Sequence, residues 1–204
     1  MTPAKLDLKR ELYELYRARR EPTMIDVPEL QFAMIDGVGD PATAKEYRAA
    51  LEALYAVTYT VKFAVKHAPG GIDFAVMPLE GLWWAPDMRA FATAERSAWQ
   101  WTMMILQPDA VMPDLFAAAR DQAATKKKLD AIARVRLERF AEGRAAQILH
   151  IGPYSAEAPT IERLHAFIAE QGAERAGKHH EIYLGDPRRT APERLRTIIR
   201  QPVA

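Results

Sequence analysis

His179-His180-Glu181-Ile182-Tyr183-Leu184, running straight into Gly185-Asp186-Pro187-Arg188-Arg189, is the stretch on which the reading of this chain turns. Its first six residues alternate as a strand does, with Ile182 and Leu184 pointing one way and Glu181 and Tyr183 the other. The apolar face calls for a core. A face that carries a carboxylate beside a phenol calls for water or a partner. Pro78-Leu79-Glu80-Gly81-Leu82-Trp83-Trp84 is of the same kind, a strand running into a glutamate and then aromatics. The two glutamates and the aromatics around them are expected to line one pocket.

Outward from there, the pattern strand, helix, strand, strand occurs twice. In the first half, Leu30 to Asp36 alternates as a strand and the glycine turn after it opens a helix over 42–66, with Tyr47, Leu51, Leu54, Tyr55 and Val61 at helical spacing. The run Val57 to Val61 favours a strand, but Tyr55, Tyr59 and Phe63 recur every four residues and keep the helix. Strands are predicted over 72–79 and 98–107, the second with Trp99, Trp101, Met103 and Ile105 on one face; 87–97 is a loop. In the second half, 136–140 and 144–151 flank Ala141-Glu142-Gly143 as a hairpin. A helix over 157–171, the opening stretch and a last strand over 195–200 follow. Two further helices are predicted, over 5–16 and 113–134. The expected layout is 1–28 as N-terminal helix and linker, 29–112 as the first unit, 113–135 as connecting helix and 136–204 as the second unit.

Composition narrows the function classes. Lysine and arginine number 28 against 27 aspartates and glutamates, so no excess charge points to nucleic acid or a membrane surface. The absence of cysteine excludes disulfides, thiol catalysis and cysteine-ligated metal. Residues 1–20 are charged throughout and the most apolar run, 99–106, is too short to span a bilayer, so a cytoplasmic location is expected. Arg17, Arg19, Arg20 and Lys126 to Lys128 read as solvated surface. His179 and His180 are neighbours on a strand and point apart, while His67, His150 and His165 lie on separate elements, so no metal is expected. Gly37-Val38-Gly39 lacks the third glycine of a dinucleotide-binding turn, and Ser155 has no evident triad partners. No cofactor is expected.

Val27–Pro41 (VPELQFAMIDGVGDP), Pro78–Trp84 (PLEGLWW), Trp99–Asp109 (WQWTMMILQPD), His150–Tyr154 (HIGPY) and His179–Val203 together resemble the GyrI-like small-molecule-binding proteins. The resemblance is closer to the stand-alone group that carries no DNA-binding domain, and it runs from Lys5 to Val203. It implies an α+β fold of tandem duplicated βαββ modules with pseudo-twofold symmetry, helices on one sheet face and a ligand cleft on the other. It also implies a bulky aromatic or cationic small-molecule ligand, and some stand-alone members hydrolyse cyclopropane-type DNA-alkylating compounds.

On that footing Glu181 is expected as general base or cation anchor, with Tyr154 and Tyr183 donating hydrogen bonds to a ligand carbonyl. Glu80, Trp83, Trp84, Trp99, Trp101, Met103, Tyr59 and Phe63 complete the expected ligand-binding set, the aromatics supplying flat walls and cation–π attraction. The alternative is a non-catalytic drug-sequestering or effector-sensing module. Direct binding to nucleic acid or a membrane is not expected, and the chain is expected as a monomer or homodimer.

Overall fold

A computed structural model describes residues 3–85, 88 and 96–204. The chain is mixed α/β and divides into two compact units, each assembled from separate stretches of sequence. Among the described residues, six strands take part in the antiparallel pairing.

The first unit comprises Met1–Glu11, Leu30–Met77 and Trp84–Phe140. Residues 5–16, expected as one helix, instead form strand β1 (Ala4–Leu6) and two single-turn helices, α1 (Leu8–Glu11) and α2 (Tyr13–Tyr16), the last lying in the second unit. β1 pairs in parallel with β3 (Ile72–Phe74), and backbone pairing with a neighbour outweighs the helical spacing of Leu8, Leu12 and Leu15. Residues 32–38 of β2 (Thr23–Val38) pair antiparallel with β5 (Gln100–Leu106).

Helix α3 (Lys45–His67) forms through its β-branched run because burial decides the matter. Ala50, Ala53, Leu54, Val57, Val61 and Val65 recur at helical spacing and are buried, and that apolar stripe outweighs the few tenths of a kcal/mol by which valine and threonine disfavour a helix. The helix stops before Pro69, which cannot continue it. Residues 72–79, expected as one strand, divide into β3 and β4 (Leu79–Trp84), and the expected helix over 113–134 ends earlier, as α4 (Pro113–Lys127). Lys128 there adopts a left-handed backbone, φ 50°, and a 3-10 turn over Asp130–Arg134 follows. Most of segment 87–97 lies outside the described residues.

Trp101 anchors this unit. It is fully buried, packs edge-on against Tyr47 at 5.2 Å, and lies over Gly37, its partner in the ladder. A Cβ on Gly37 would sit 2.1 Å from the indole ring. Gly37→Ala is therefore expected to destabilise by about 1–3 kcal/mol, as overpacking of a rigid core does. A urea midpoint equal to that of the parent would show that the indole can move aside.

The second unit comprises Leu12–Glu29, Pro78–Trp83 and Ala141–Ala204. Its strands lie in the order β4, β7 (His179–Tyr183), β8 (Arg196–Pro202), β6 (Arg136–Ile151), all antiparallel. β6 replaces the expected hairpin: Gly143, with φ 76°, absorbs a local left-handed kink and the strand runs on through it. Helix α5 (Ala158–Glu170) covers one sheet face, packing Leu164 and Ile168 on Ala146, Ile148 and Ile199. Ile199 stands opposite Glu181, so His179, Glu181 and Tyr183 share the face that carries α5, not the helix-free face on which the resemblance puts the cleft, and His180 and Ile182 take the other.

Candidate functional site

Alternation along β4 and β7 separates the two glutamates singled out in the sequence. Glu80 stands opposite Ile182 and Gly81 opposite Glu181, so the two carboxylates project from opposite faces of the sheet. The expectation that they line one pocket is corrected by this register. Each has its own surroundings, both within the second unit.

Glu80 belongs to a buried polar network. It is 1% exposed; Tyr16 donates its hydroxyl to Oε1 at 2.5 Å, and His180 Nε2 reaches Oε2 at 3.0 Å. The other nitrogen of His180, Nδ1, lies 2.9 Å from Glu142 Oε1. Arg200 donates to Glu142 Oε2 at 3.1 Å, to the Leu15 carbonyl at 2.7 Å and to Gln147 Oε1 at 3.0 Å. Gln147 in turn donates to the Glu14 carbonyl at 2.9 Å. Two carboxyls thus face an imidazole and a guanidinium out of water, with their hydrogen bonds made.

The electrostatics follow from that enclosure. Burial pushes Glu142 up, but the charges of His180 and Arg200 and the hydrogen bonds from them prevail and hold it at about 2. Burial pushes His180 down, and Glu142 and Glu80 overcome this and raise it to about 9. Burial, then the charge of Glu80, lifts the Tyr16 phenol well above its ordinary value.

These shifts give a pH dependence of stability. Glu142 titrates lower folded than unfolded, so its contribution is present above about 4.5 and is lost as pH falls toward 2. His180 titrates higher folded than unfolded, so its contribution is full below about 6.5 and is lost as pH rises through about 9. The network's share of Tm is expected to be greatest between these limits. In calorimetry, a parent Tm falling from pH 6.5 to 9, with a slope that flattens in His180→Gln, is the expected result; identical slopes would remove His180 as the cause.

Glu181 occupies the more open setting, its side chain 15% exposed. His179 Nε2 lies 3.1 Å from Oε1, and Tyr183 donates its hydroxyl to Oε2 at 2.7 Å. Trp83 donates its indole N–H to the Tyr183 oxygen at 3.1 Å. Tyr154, 40% exposed, meets the Tyr183 ring edge-on at 5.6 Å. Tyr154 lies in the turn that enters α5, and Glu157, the residue before that helix, is 5% exposed with Oε1 unpaired among the described residues. Burial, then the charge of Glu181, raises Glu157 to about 9.

The structure therefore gathers Glu181, Tyr183, Trp83 and Tyr154 of the expected set. Of the remaining members, Glu80 belongs to the buried network and the others to the first unit. Trp101 and Met103 are fully buried in the first unit, where Trp84 donates to Gln100 at 2.9 Å and the Arg96 guanidinium sits 5.3 Å over Trp99. Tyr59 and Phe63 lie on the outer face of α3, 48% and 50% exposed. Sequence reasoning passed over Glu157, Glu142, Arg200 and Tyr16. One signal was available: Arg200 closes the run Thr197-Ile198-Ile199, and a cation inside a buried strand must have a partner. Among the described residues no group of three His, Asp or Glu is placed to hold a metal, and no helix is long and apolar enough to cross a membrane.

The GyrI-like small molecule binding domain matches residues 20–204. An uncharacterized conserved protein from Listeria innocua is 40% identical, with a TM-score of 0.88 over 98% of this chain and 100% of that one. A hydrolase from Listeria innocua is also 40% identical, with a TM-score of 0.86 and the same coverage of both chains. The C-terminal domain of EcmrR shares the fold at 11% identity, with a TM-score of 0.57 over 90% of this chain and 97% of that one. Among curated proteins none matches.

Proposed function

The chain belongs to the GyrI-like small-molecule-binding family, and from that premise we propose that it takes a bulky aromatic small molecule at Glu181 and hydrolyses it. The substrate class is the strained, cyclopropane-type DNA-alkylating electrophile, and the reaction is a detoxifying ring opening. Supporting the verb are the neighbours named hydrolases, at 38% and 40% identity. The observation that carries the site is the Glu181 carboxylate, fixed by His179 and Tyr183 beside the aromatic rings of Trp83, Tyr183 and Tyr154 and still partly open to solvent.

In this reading Glu181 orients and deprotonates a water, whose oxygen attacks a ring carbon. The strained carbon–carbon bond breaks and its electron pair moves to the conjugated carbonyl oxygen. Tyr154 donates a hydrogen bond to that oxygen as charge builds on it. The duplicated βαββ organisation belongs to the same reading; with β3 set aside because it pairs with β1, and α4 as the connection, the order β2, α3, β4, β5 followed by β6, α5, β7, β8 supports it.

A second reading has its own observation. Both oxygens of Glu181 are already engaged, which suits a fixed negative charge that anchors an aromatic cation without turnover. Incubation with a cyclopropane-bearing alkylator separates the two. Ring-opened product over many equivalents supports hydrolysis; one equivalent bound and none converted leaves a binding module.

A further inference from the structure

Glu157 is a buried carboxyl without a counter-ion among the described residues. It is the residue immediately before α5, 5% exposed, and its Oε1 has no hydrogen-bond partner among the described residues. The groups around it are known element by element. From β7 it feels the charge of Glu181, whose own neighbours are His179 and Tyr183. From β8 comes the fully buried hydroxyl of Thr197, whose interaction with the Glu157 carboxyl favours its ionised form but is outweighed by burial and the Glu181 charge. From β6, His150 is occupied with the Thr160 hydroxyl and the Pro153 carbonyl. No lysine or arginine pairs with Glu157 among the described residues. The N-terminus of α5 favours an anion at this position, but burial and the nearby Glu181 charge both oppose one. The backbone N–H of Glu157 donates to the Tyr154 carbonyl at 3.2 Å, the Tyr154 ring meets Tyr183, and Tyr183 bonds Glu181, so the two carboxyls belong to one site in differing surroundings, the arrangement that separates an acid from a base.

We propose that Glu157 and Glu181 work as a carboxyl pair holding a single proton, Glu157 as the acid and Glu181 as the base of the site. The use of the pair rests on the hydrolase reading. In ring opening, water's oxygen bonds to the cyclopropane carbon, the strained bond breaks, and its electron pair arrives at the conjugated carbonyl oxygen. Glu181 takes the water's proton and Glu157 gives its own to that oxygen. Transfer of the proton from Glu181 back to Glu157 restores the pair, so the cycle adds one water and neither consumes nor releases a proton. Oε1 of Glu157, without a hydrogen-bond partner among the described residues, is the atom left to carry the proton to the ligand oxygen. Sharing one proton also explains why a carboxyl with an unmet hydrogen-bonding atom is kept at a helix start where a serine or threonine would cap.

The pair is read first in the ligand-free full chain, by carbon-13 NMR of labelled glutamate, with the Glu157 signal assigned by its loss in Glu157→Gln. Glu157 is expected in its acid form at neutral pH, ionising near 9, and Glu181→Gln is expected to bring that ionisation down by at least about one unit. Ionisation in the ordinary carboxylate range, or a titration that Glu181→Gln leaves unmoved, overturns the pair whether or not any substrate is turned over. Kinetics then read its use on a cyclopropane-bearing alkylator. Glu157→Gln is expected to lower kcat about 100-fold with KM little changed and to abolish the alkaline limb of the pH profile, while Glu157→Asp recovers part of both. Full kcat in Glu157→Gln overturns the acid role. A parent chain without turnover whose Glu157 still titrates high defeats the hydrolase reading and the acid role together, and upholds the shared proton.

Discussion

Arg200→Met is expected to remove about 3–5 kcal/mol of folding stability, a large part of the ~5–15 kcal/mol that holds a domain of ordinary stability together. The reason is what stays behind. Methionine fills much of the volume, yet Glu142 loses its guanidinium at 3.1 Å, and the Leu15 carbonyl and Gln147 oxygen lose the donors at 2.7 and 3.0 Å. None of these acceptors has water to turn to, because Arg200 is 2% exposed and the Glu142 side chain 1%. The loss measures broken pairing rather than the net worth of the network. Adding Glu142→Gln to Arg200→Met is therefore expected to cost less than the sum of the two single changes, since the second removes a charge that the first has stranded. Urea unfolding measures all three. A midpoint unchanged in Arg200→Met would mean that the carboxylate finds another partner.

Glu181→Gln is expected to lower turnover by about 10²–10⁴-fold while leaving substrate affinity nearly unchanged, as loss of a general base does. Glutamine matches the carboxylate in shape and can still accept the Tyr183 hydroxyl, so the strand and its aromatic neighbours are expected to stay in place. If Glu181 is instead a cation anchor, the same change weakens aromatic cations and spares neutral aromatics of similar shape. Paired assays on ethidium and uncharged phenanthridine distinguish these outcomes. Indifference of both turnover and cation affinity would take Glu181 out of the site.

Local patterning carried the reading of most regular elements, because their burial follows simple periods. Helix α5 and the strand at His179–Tyr183 fall within one or two residues of where spacing puts them. Reading failed where a partner far along the chain decides the outcome. Ala4–Leu6 is a strand because Ile72–Phe74 lies beside it, and β6 is one strand because β8 pairs with residues 145–151. The site shows the same division. Alternation assigned Glu181 and Tyr183 to one face of their strand. It could not tell that Glu80 faces the other way, since that depends on the register between β4 and β7. Nor could it bring Tyr16, Glu142 and Arg200 together, because their proximity is created by the fold rather than by spacing.

That last assembly bears on how the protein is made. The second unit draws on residues 12–29, 78–83 and 141–204, and the bond from Arg200 to Leu15 spans 185 positions of sequence. Such a contact repays the entropy of closing its loop only late, when β8 has emerged and found its place. Until then, during synthesis, Tyr16 and Glu80 wait without their cationic neighbours, while α3 packs on α4, β3 and β5, all of which precede β6 in the chain. Slow acquisition of the network, with mutations there accelerating unfolding more than they retard folding, is the kinetic signature such connectivity imposes.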